Sequence, residues 1–232
     1  RAERRLGPAA HAPVWQEVEA RIRAGGTYPP SFYVYLVIAG VIGAVGILTN
    51  SQILIVAAMV VGPEYGAITS VSLAIDHANA TRIRQGLVAL ATGFSLAVLV
   101  TFLFTLAIRG LGRLPKAYEL GIRPVSSLID TPNLFSVVIA VLAGTVGIMS
   151  LTQARTSALL GVFISVTTIP AAADIGVSSA SSSWSEARGS LVQLLLNIVL
   201  LVVVGVLMLR FQRAVWRGIK RRAGSVTAKG CP

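Results

Sequence analysis

Long apolar runs alternate with short polar segments along most of the chain. Each run has at least 18 residues, which at about 1.5 Å per residue is enough to cross a hydrocarbon core of roughly 30 Å. The pattern predicts an all-α integral membrane protein with six transmembrane helices. The predicted spans are residues 32–49, 51–75, 86–108, 134–152, 156–178 and 189–209.

The polar segments divide the chain into three parts. In residues 1–31, Trp15 and Ile22 recur at helical spacing among charged residues. The spacing indicates an amphipathic helix, either at the membrane surface or packed on a soluble domain. The six-span domain then covers residues 32–209, and residues 210–232 form a basic tail.

The six runs fall into two sets of three, residues 32–108 and 134–209. An odd number of spans gives the second set the opposite orientation, which predicts two inverted three-helix repeats. Two short sequence matches support the repeat, although Gly, Val and Leu are common enough in spans to match by chance. These are residues 43–47 with 144–148, shifted by 101, and residues 87–90 with 191–194, shifted by 104.

Proline interrupts the second and the fifth spans at corresponding places. Pro63 lies between Gly62 and Gly66, and Pro170 lies past the middle of its span. A proline inside a helix removes a donor and frees a carbonyl, which must find a partner or line a cavity. Broken helices at matching places of two repeats are typical of a midplane transport site. A helix kink without transport function is the alternative.

Two acidic residues accompany these breaks. Glu64 lies near a predicted midplane, where carboxylates usually face the bundle interior or a water-filled cavity. It is suited to bind a cation or carry a proton, or else it is a structural carboxyl at the broken helix. Asp174 either lines the same cavity or lies at the outer interface. The candidate substrate or ion site consists of Gly62, Pro63, Glu64, Gly66, Pro170 and Asp174.

Small and amide residues in the spans predict helix packing, within a subunit or between subunits. Glycines recur every three residues along the first and fourth spans, and small residues let helices approach closely. The predicted packing residues are Gly40, Gly43, Gly46, Gly144, Gly147 and Asn197. By contrast, Asp76 and His77 are predicted to be solvated at the end of the second span.

Composition and charge placement indicate the environment of the chain and its orientation in a membrane. Hydrophobic residues make up 54% of the chain and charged residues 12%, which disfavours a water-soluble domain. Fifteen of the 20 Lys and Arg residues lie on the side of the N-terminus, so both termini should be cytoplasmic. The formal charge of +11 then suits anionic lipid rather than nucleic acid. Candidate headgroup residues are Trp15, Trp216, Arg217, Lys220, Arg221 and Arg222, with ordinary positive-inside anchoring as the alternative.

The residues that support catalysis or metal binding do not form a recognisable set. Cys231 is the single cysteine, and the two histidines, His11 and His77, are far apart in sequence. No glycine-rich run is followed by Lys-Ser or Lys-Thr, and no nucleophile–base pattern is present. We therefore predict neither an enzyme nor a resident metal or cofactor.

From Asn50 onward the chain resembles an uncharacterised hydrophobic-domain family of bacterial and archaeal membrane proteins, the domain of unknown function 389. The resemblance covers about residues 32–209, and a proline at 170 and Asn197 also match family positions. The signature residues in register are Asn50-Ser51, Ala58-Met59, Pro63, Gly66 and Ile68. The resemblance implies a multi-pass protein of the bacterial plasma (inner) membrane.

The chain departs from the family pattern at the first break. Glu64 and Tyr65 stand where the family usually has apolar residues, and Ala67 and Ala171 replace common prolines. A role for Glu64 is therefore not inherited from the family, and the residue would be a specialisation of this chain.

Two functions are compatible with these features. The first is a small secondary transporter or ion-conducting protein, working as a homodimer or homotrimer with its site at the broken helices. The second is a non-transporting accessory or scaffold subunit of a membrane complex, in which Glu64 would meet a cation of the partner protein. Headgroup binding by the basic tail is a weaker third alternative.

Overall fold

A computed structural model describes residues 19–20, 22–24, 26–121, 123–131, 133–152 and 168–228, without the side chains of 119, 128, 150–152 and 216–228. These residues form helices joined by short connections, and none of them lies in a strand. Three of the helices are long and apolar enough to cross a membrane, and a bent pair raises the number to four. The all-α prediction is confirmed, and the apolar helices are those expected of a membrane protein.

Besides the helical residues 19–20 and 22–24, the described part of the chain contains nine helices. In order they are α1 (Pro30–Leu48), α2 (Gln52–Val61), α3 (Glu64–Asp76), α4 (Ala80–Gly110), α5 (Lys116–Glu119), α6 (Pro124–Ile129), α7 (Leu134–Thr152), α8 (Ile169–Ala180) and α9 (Trp184–Ala228). Helix α7 has the predicted bounds, while α4 and α9 extend beyond their predicted spans. Helix α9 continues through residue 210, so no helix end marks the expected start of the tail. Most of the predicted fifth span, with Arg155, lies outside the described residues.

A tight turn joins α1 to α2. Asn50 adopts a left-handed backbone conformation with φ of 52°, and the Ser51 hydroxyl accepts a hydrogen bond from the Leu54 amide at 3.5 Å. A short polar side chain tolerates the left-handed region, and serine is a favoured helix N-cap. The hairpin predicted at Asn50-Ser51 therefore has a local physical cause.

The predicted interruption of the second span is present. Helix α2 ends as the Gly62 amide bonds to the Ala58 carbonyl at 3.2 Å, and α3 begins at Glu64 with an angle of 53° between the two helices. Pro63 has no amide hydrogen to continue the ladder. The second apolar run is thus two half-helices rather than one kinked helix.

The connections α3–α4 and α8–α9 have the same pattern of backbone conformation and hydrogen bonds. Ala78 and Ser182 are both left-handed, with φ of 51° and 63°. The amides of residues 77, 78 and 79 bond to the carbonyls of residues 73, 75 and 74, and the amides of 181, 182 and 183 bond to the carbonyls of 177, 179 and 178. Every partner in the second set lies 104 residues after its counterpart.

Close glycine contacts follow the same shift. A Cβ on Gly40 would lie 3.3 Å from the Ala97 Cβ, between α1 and α4, and one on Gly144 would lie 3.6 Å from Leu201, between α7 and α9. Both partners shift by 104 residues. The two sequence matches have shifts of 101 and 104 residues, and this pair of contacts corresponds to the shift of 104.

Helices α4 and α9 form the centre of the packing. Both contact α3 and α8, while α1 packs on α2, α4 and α8, and α7 packs on α9. The N-terminal segment adds Ile22, which is buried against Leu73, Ile148 and Leu209. Ile22 therefore packs on helix ends of this chain rather than facing lipid, and Trp15 lies outside the described residues.

Candidate functional site

Half-helices α3 and α8 run in opposite directions from a common meeting point. Helix α4 starts just after the end of α3, and its far end reaches the end of α8, where Arg109 donates to the Ala180 carbonyl at 2.9 Å. The 31 residues of α4 correspond to about 46 Å. The ends of α3 and α8 therefore lie at opposite ends of α4, while their starts meet between them.

The meeting point brings together residues that are distant in sequence. The Thr168 hydroxyl, which precedes α8, lies 3.3 Å from Oε1 of Glu64, the first residue of α3. Both residues are fully buried. Gly62 contacts Ile169 so closely that any Cβ on it would overlap the isoleucine and Glu64. The sequence singled out Gly62 and Glu64, but Thr168 carried no signal of its own.

Two helix N-termini thus point at one buried carboxyl group. The first amides of a helix lack intrahelical acceptors, and the macrodipole places partial positive charge there. Glu64 occupies the first position of α3, and Pro170 lies in the first turn of α8. This arrangement places the partial positive charge of two helix starts beside the Glu64 carboxyl group.

Further contact pairs related by the 104-residue shift surround this point. The Tyr65 hydroxyl donates to the Gly147 carbonyl at 2.7 Å, and the shifted pair, Ile169 and Gly43, is also in contact. Likewise Ser72 packs on Gly205, and the shifted pair is Gly176 on Thr101. Glu64 and Thr168 are themselves 104 residues apart. Contacts between α3, α8 and the neighbouring helices thus include pairs related by a shift of 104 residues.

Asp174 lies within a cluster of hydroxyl side chains. It is fully buried, and its carboxylate accepts hydrogen bonds from Ser126 and Ser190, both at 2.6 Å, and from Ser178 at 3.3 Å. Three hydroxyl donors compensate the lost hydration of a buried carboxylate. These serines come from three different helices, so no sequence motif marked the cluster. Asp174 is six residues from Thr168, which corresponds to about 9 Å along α8.

The connection 111–133 covers this cluster. Arg123 donates to Glu186 and to Ser183, both at 2.8 Å, and its guanidinium lies 4.0 Å from the centre of the Tyr118 ring. Burial raises the pKa of Asp130, and the nearby charge of Glu186 raises it further. We call this end of the molecule the Arg123 end.

Ion pairs hold the opposite end, which we call the Asp76 end. Asp76 accepts from Arg210 at 2.9 Å and from Arg213 at 2.5 Å. Arg213 also contacts Glu19 at 2.9 Å, and Glu19 lies 3.3 Å from His77. Asp76 is therefore paired rather than solvated as predicted, because α9 continues into the tail and brings its arginines against α3, whereas His77 is exposed at the helix end.

The remaining predicted residues occupy separate positions. The Gly66 carbonyl accepts a hydrogen bond from Thr69 within α3, and Asn197 accepts one from Gln193 of its own helix at 3.2 Å. Gly46 packs on Ile55 of α2. The headgroup side chains at 216–222 lie outside the described side chains. Among the described residues, no group of three or more His, Cys, Asp or Glu could hold a metal ion.

The fold is helical, with several apolar helices of the kind found in membrane proteins and a buried meeting point of α3 and α8. The chain also matches the family model described as "Domain of unknown function (DUF389)" over residues 59–203. It belongs to that family, which confirms the resemblance noted in the sequence. No curated protein and no solved structure matches the chain.

Proposed function

We propose that the protein is a small secondary transporter or ion-conducting membrane protein, with its site where α3 and α8 meet. The observation that carries the proposal is the buried Glu64 carboxyl group between two helix starts. Half-helix ends at the centre of a membrane domain are suited to bind ions or charged groups. Glu64 would be the group that binds the coupling proton or cation.

The architecture proposed with this function is six spans in two inverted repeats. Two observations support it: the contacts related by 104 residues, and the opposite directions of α3 and α8. The predicted fifth span, residues 156–178, would then correspond to the second span, with α8 in the place of α3. Both termini would be cytoplasmic, as the positive-inside bias predicts.

Alternating access would follow from motion of one repeat against the other. The contacts that resist such motion differ at the two ends, with ion pairs at Asp76 and hydroxyl–carboxylate bonds at Asp174. Assembly as a homodimer or homotrimer in the plasma membrane belongs to the same proposal, since six short spans leave little room for a sealed pathway in one subunit.

The proposal is tested by currents from proteoliposomes on a solid-supported membrane, under proton, sodium or potassium gradients. We expect an ion-specific current that Glu64→Gln abolishes, because the amide keeps the shape but cannot carry the charge. Asp130→Asn is the matched control. It makes the same chemical change in the connection, away from the helix starts, and should leave the current unchanged.

Two results would overturn parts of this proposal. A current that persists in Glu64→Gln would remove the carboxyl group from the pathway and leave it a structural role. Absence of current with every ion, from protein shown to be folded, would reject ion transport. The accessory-subunit alternative predicted Glu64 in contact with a partner's cation, yet Glu64 is buried inside this chain.

A further inference from the structure

A cavity lies between the broken helices and the Arg123 end. Its volume is about 370 Å³, and it is bounded by α2, α6, α7, the start of α8 and α9. Pro170 forms one wall, and Val56 and Ile139, which are about half exposed, form others. The cavity is therefore accessible from outside the molecule and ends two residues from Thr168, which contacts Glu64.

The described residues that line this cavity carry no ionisable side chain. Most are aliphatic, and the polar ones are Gln52, Ser136 and Gln193. A fully charged solute would lose its hydration there without an opposite charge in the lining. A mainly apolar, uncharged molecule would cover the apolar walls and lose little hydration free energy.

Gln193 supplies the specific feature of the lining. Its side chain is 5% exposed, and Nε2 donates to the Asn197 Oδ1 at 3.2 Å. Oε1 is buried and accepts no hydrogen bond in the described part of the chain. An unsatisfied buried amide oxygen is unfavourable, and a donor brought by a ligand would satisfy it. The terminal amide torsion is soft, so a small rotation presents this oxygen to the cavity.

We propose that this cavity binds a compact, uncharged, mainly apolar molecule that donates an N–H or O–H group to Gln193 Oε1. This rests on the proposed function, in which the molecule is the transported substrate. The neutral substrate then occupies the cavity, while the coupling charge resides on Glu64 beyond the start of α8. Substrate and charge are held by adjacent but different residues.

Indole is a suitable probe, since it is a compact apolar ring with one N–H donor, and 1-methylindole lacks that donor. Binding is measured by equilibrium dialysis of the purified full chain in detergent, with protein-free micelles as the blank. We expect indole to bind about three- to tenfold more tightly than 1-methylindole, the range of one neutral hydrogen bond.

Matched glutamine variants assign that preference. Gln193→Met keeps the length of the side chain and removes the acceptor, so it should abolish the preference for indole. Gln212 is the control, because it lies on the same helix at the Asp76 end and also has a buried Oε1 without a partner in the described region. Gln212→Met should leave the preference intact. If both variants retain it, Gln193 is not the acceptor and the inference fails.

Filling the cavity provides a second measurement. Ile139→Trp places a large ring in it from a half-exposed position of α7 and should abolish binding of both probes. Unchanged binding in this variant would overturn the site, as would absence of binding to wild type. Binding without any ion current would retain this site and reject the transport proposal. An ion current without binding at this cavity would support the transport proposal and reject this binding site.

Discussion

Half-helices α3 and α8 leave one meeting point in opposite directions, and their far ends are held in different ways. The end of α3 is fixed by Asp76 with Arg210 and Arg213, whose side chains are 61% and 23% exposed. In the middle of α8, Asp174 is fully buried under three serine hydroxyls. The backbone design is shared, whereas the side chains that hold each end are not.

This difference determines which contacts are sensitive to salt. Asp76 itself is 6% exposed, but its partner Arg210 is 61% exposed, so salt can screen this pair, since the Debye length falls to roughly 3 Å at 1 M. Buried hydrogen bonds to a carboxylate are screened much less. The Asp76 end should therefore loosen with salt, while the Arg123 end should not. If the protein alternates between two states, the two ends are released by different signals.

The largest expected effect concerns the shared packing. A Cβ on Gly176 would overlap the Thr101 hydroxyl and lie 2.9 Å from the Phe102 backbone nitrogen. Gly176→Ser should therefore lower the free energy of unfolding by about 1–3 kcal/mol, as overpacking does. The measurement is unfolding of the purified protein in mixed micelles with increasing SDS.

A second substitution tests the equivalence of the two halves directly. In the double variant Gly176→Ser with Thr101→Gly, a serine on α8 faces a glycine on α4. This is the pair that Ser72 and Gly205 form between α3 and α9. Most of the lost stability should return. If the double variant is less stable than Gly176→Ser alone, the two contacts are not interchangeable, and the repeat loses this support.

The next effect isolates the Arg123 end. Ser126→Ala removes a hydrogen bond to the buried Asp174 carboxylate, and should cost about 1–2 kcal/mol of unfolding free energy. Its neighbour Ser127 is exposed and bonds only locally to the Pro124 carbonyl. Ser127→Ala should be nearly neutral. Equal effects of the two variants would show that the Asp174 bond contributes nothing specific.

A smaller effect is expected at the Asp76 end. Asp76→Asn removes the charge that pairs with Arg210 and Arg213, and should cost on the order of 1 kcal/mol at low salt. The loss should shrink in 1 M salt, where wild type is already weakened. The Ser126→Ala loss, measured in the same two buffers, should stay constant. A salt-independent loss at Asp76 would contradict the comparison.

The smallest effect is a pH dependence at Asp130. Its pKa is raised above the ordinary 3.8 in the folded protein, mainly by burial. The folded state therefore disfavours the ionised form, so this group's contribution to stability is lost as pH rises through its folded pKa. Asp130→Asn should slightly raise the unfolding free energy at neutral pH and leave it unchanged below pH 3.8. An equal gain at both pH values would exclude titration as the cause.

The sequence predicted the elements better than their contacts. Proline has the same covalent consequences in any helix, so the break at Pro63 was visible in advance, as was the turn at Asn50-Ser51. The contacts of the glycines were not, because glycine recurs every three residues and each can pack on several neighbours. Only the tertiary structure shows which helix each glycine meets.

The candidate site shows the same limit. Glu64 stood out because an acidic residue in an apolar run is costly anywhere in a membrane. Thr168 and the three serines around Asp174 did not, since hydroxyl residues are unremarkable in a span until a carboxyl group lies beside them. Likewise, Asp76 looked like a solvated helix end, because its arginine partners are more than 130 residues away.

The sequence by itself determined that this chain is helical and apolar, where its second span breaks, and which family it belongs to. These depend on local covalent geometry and on composition, which act within a few residues. Only the tertiary structure decided that two helix starts meet at Glu64, that hydroxyls surround Asp174, and that α9 fixes the end of α3. Those features join residues far apart in the chain, and their energies arise only when packing excludes water from between them.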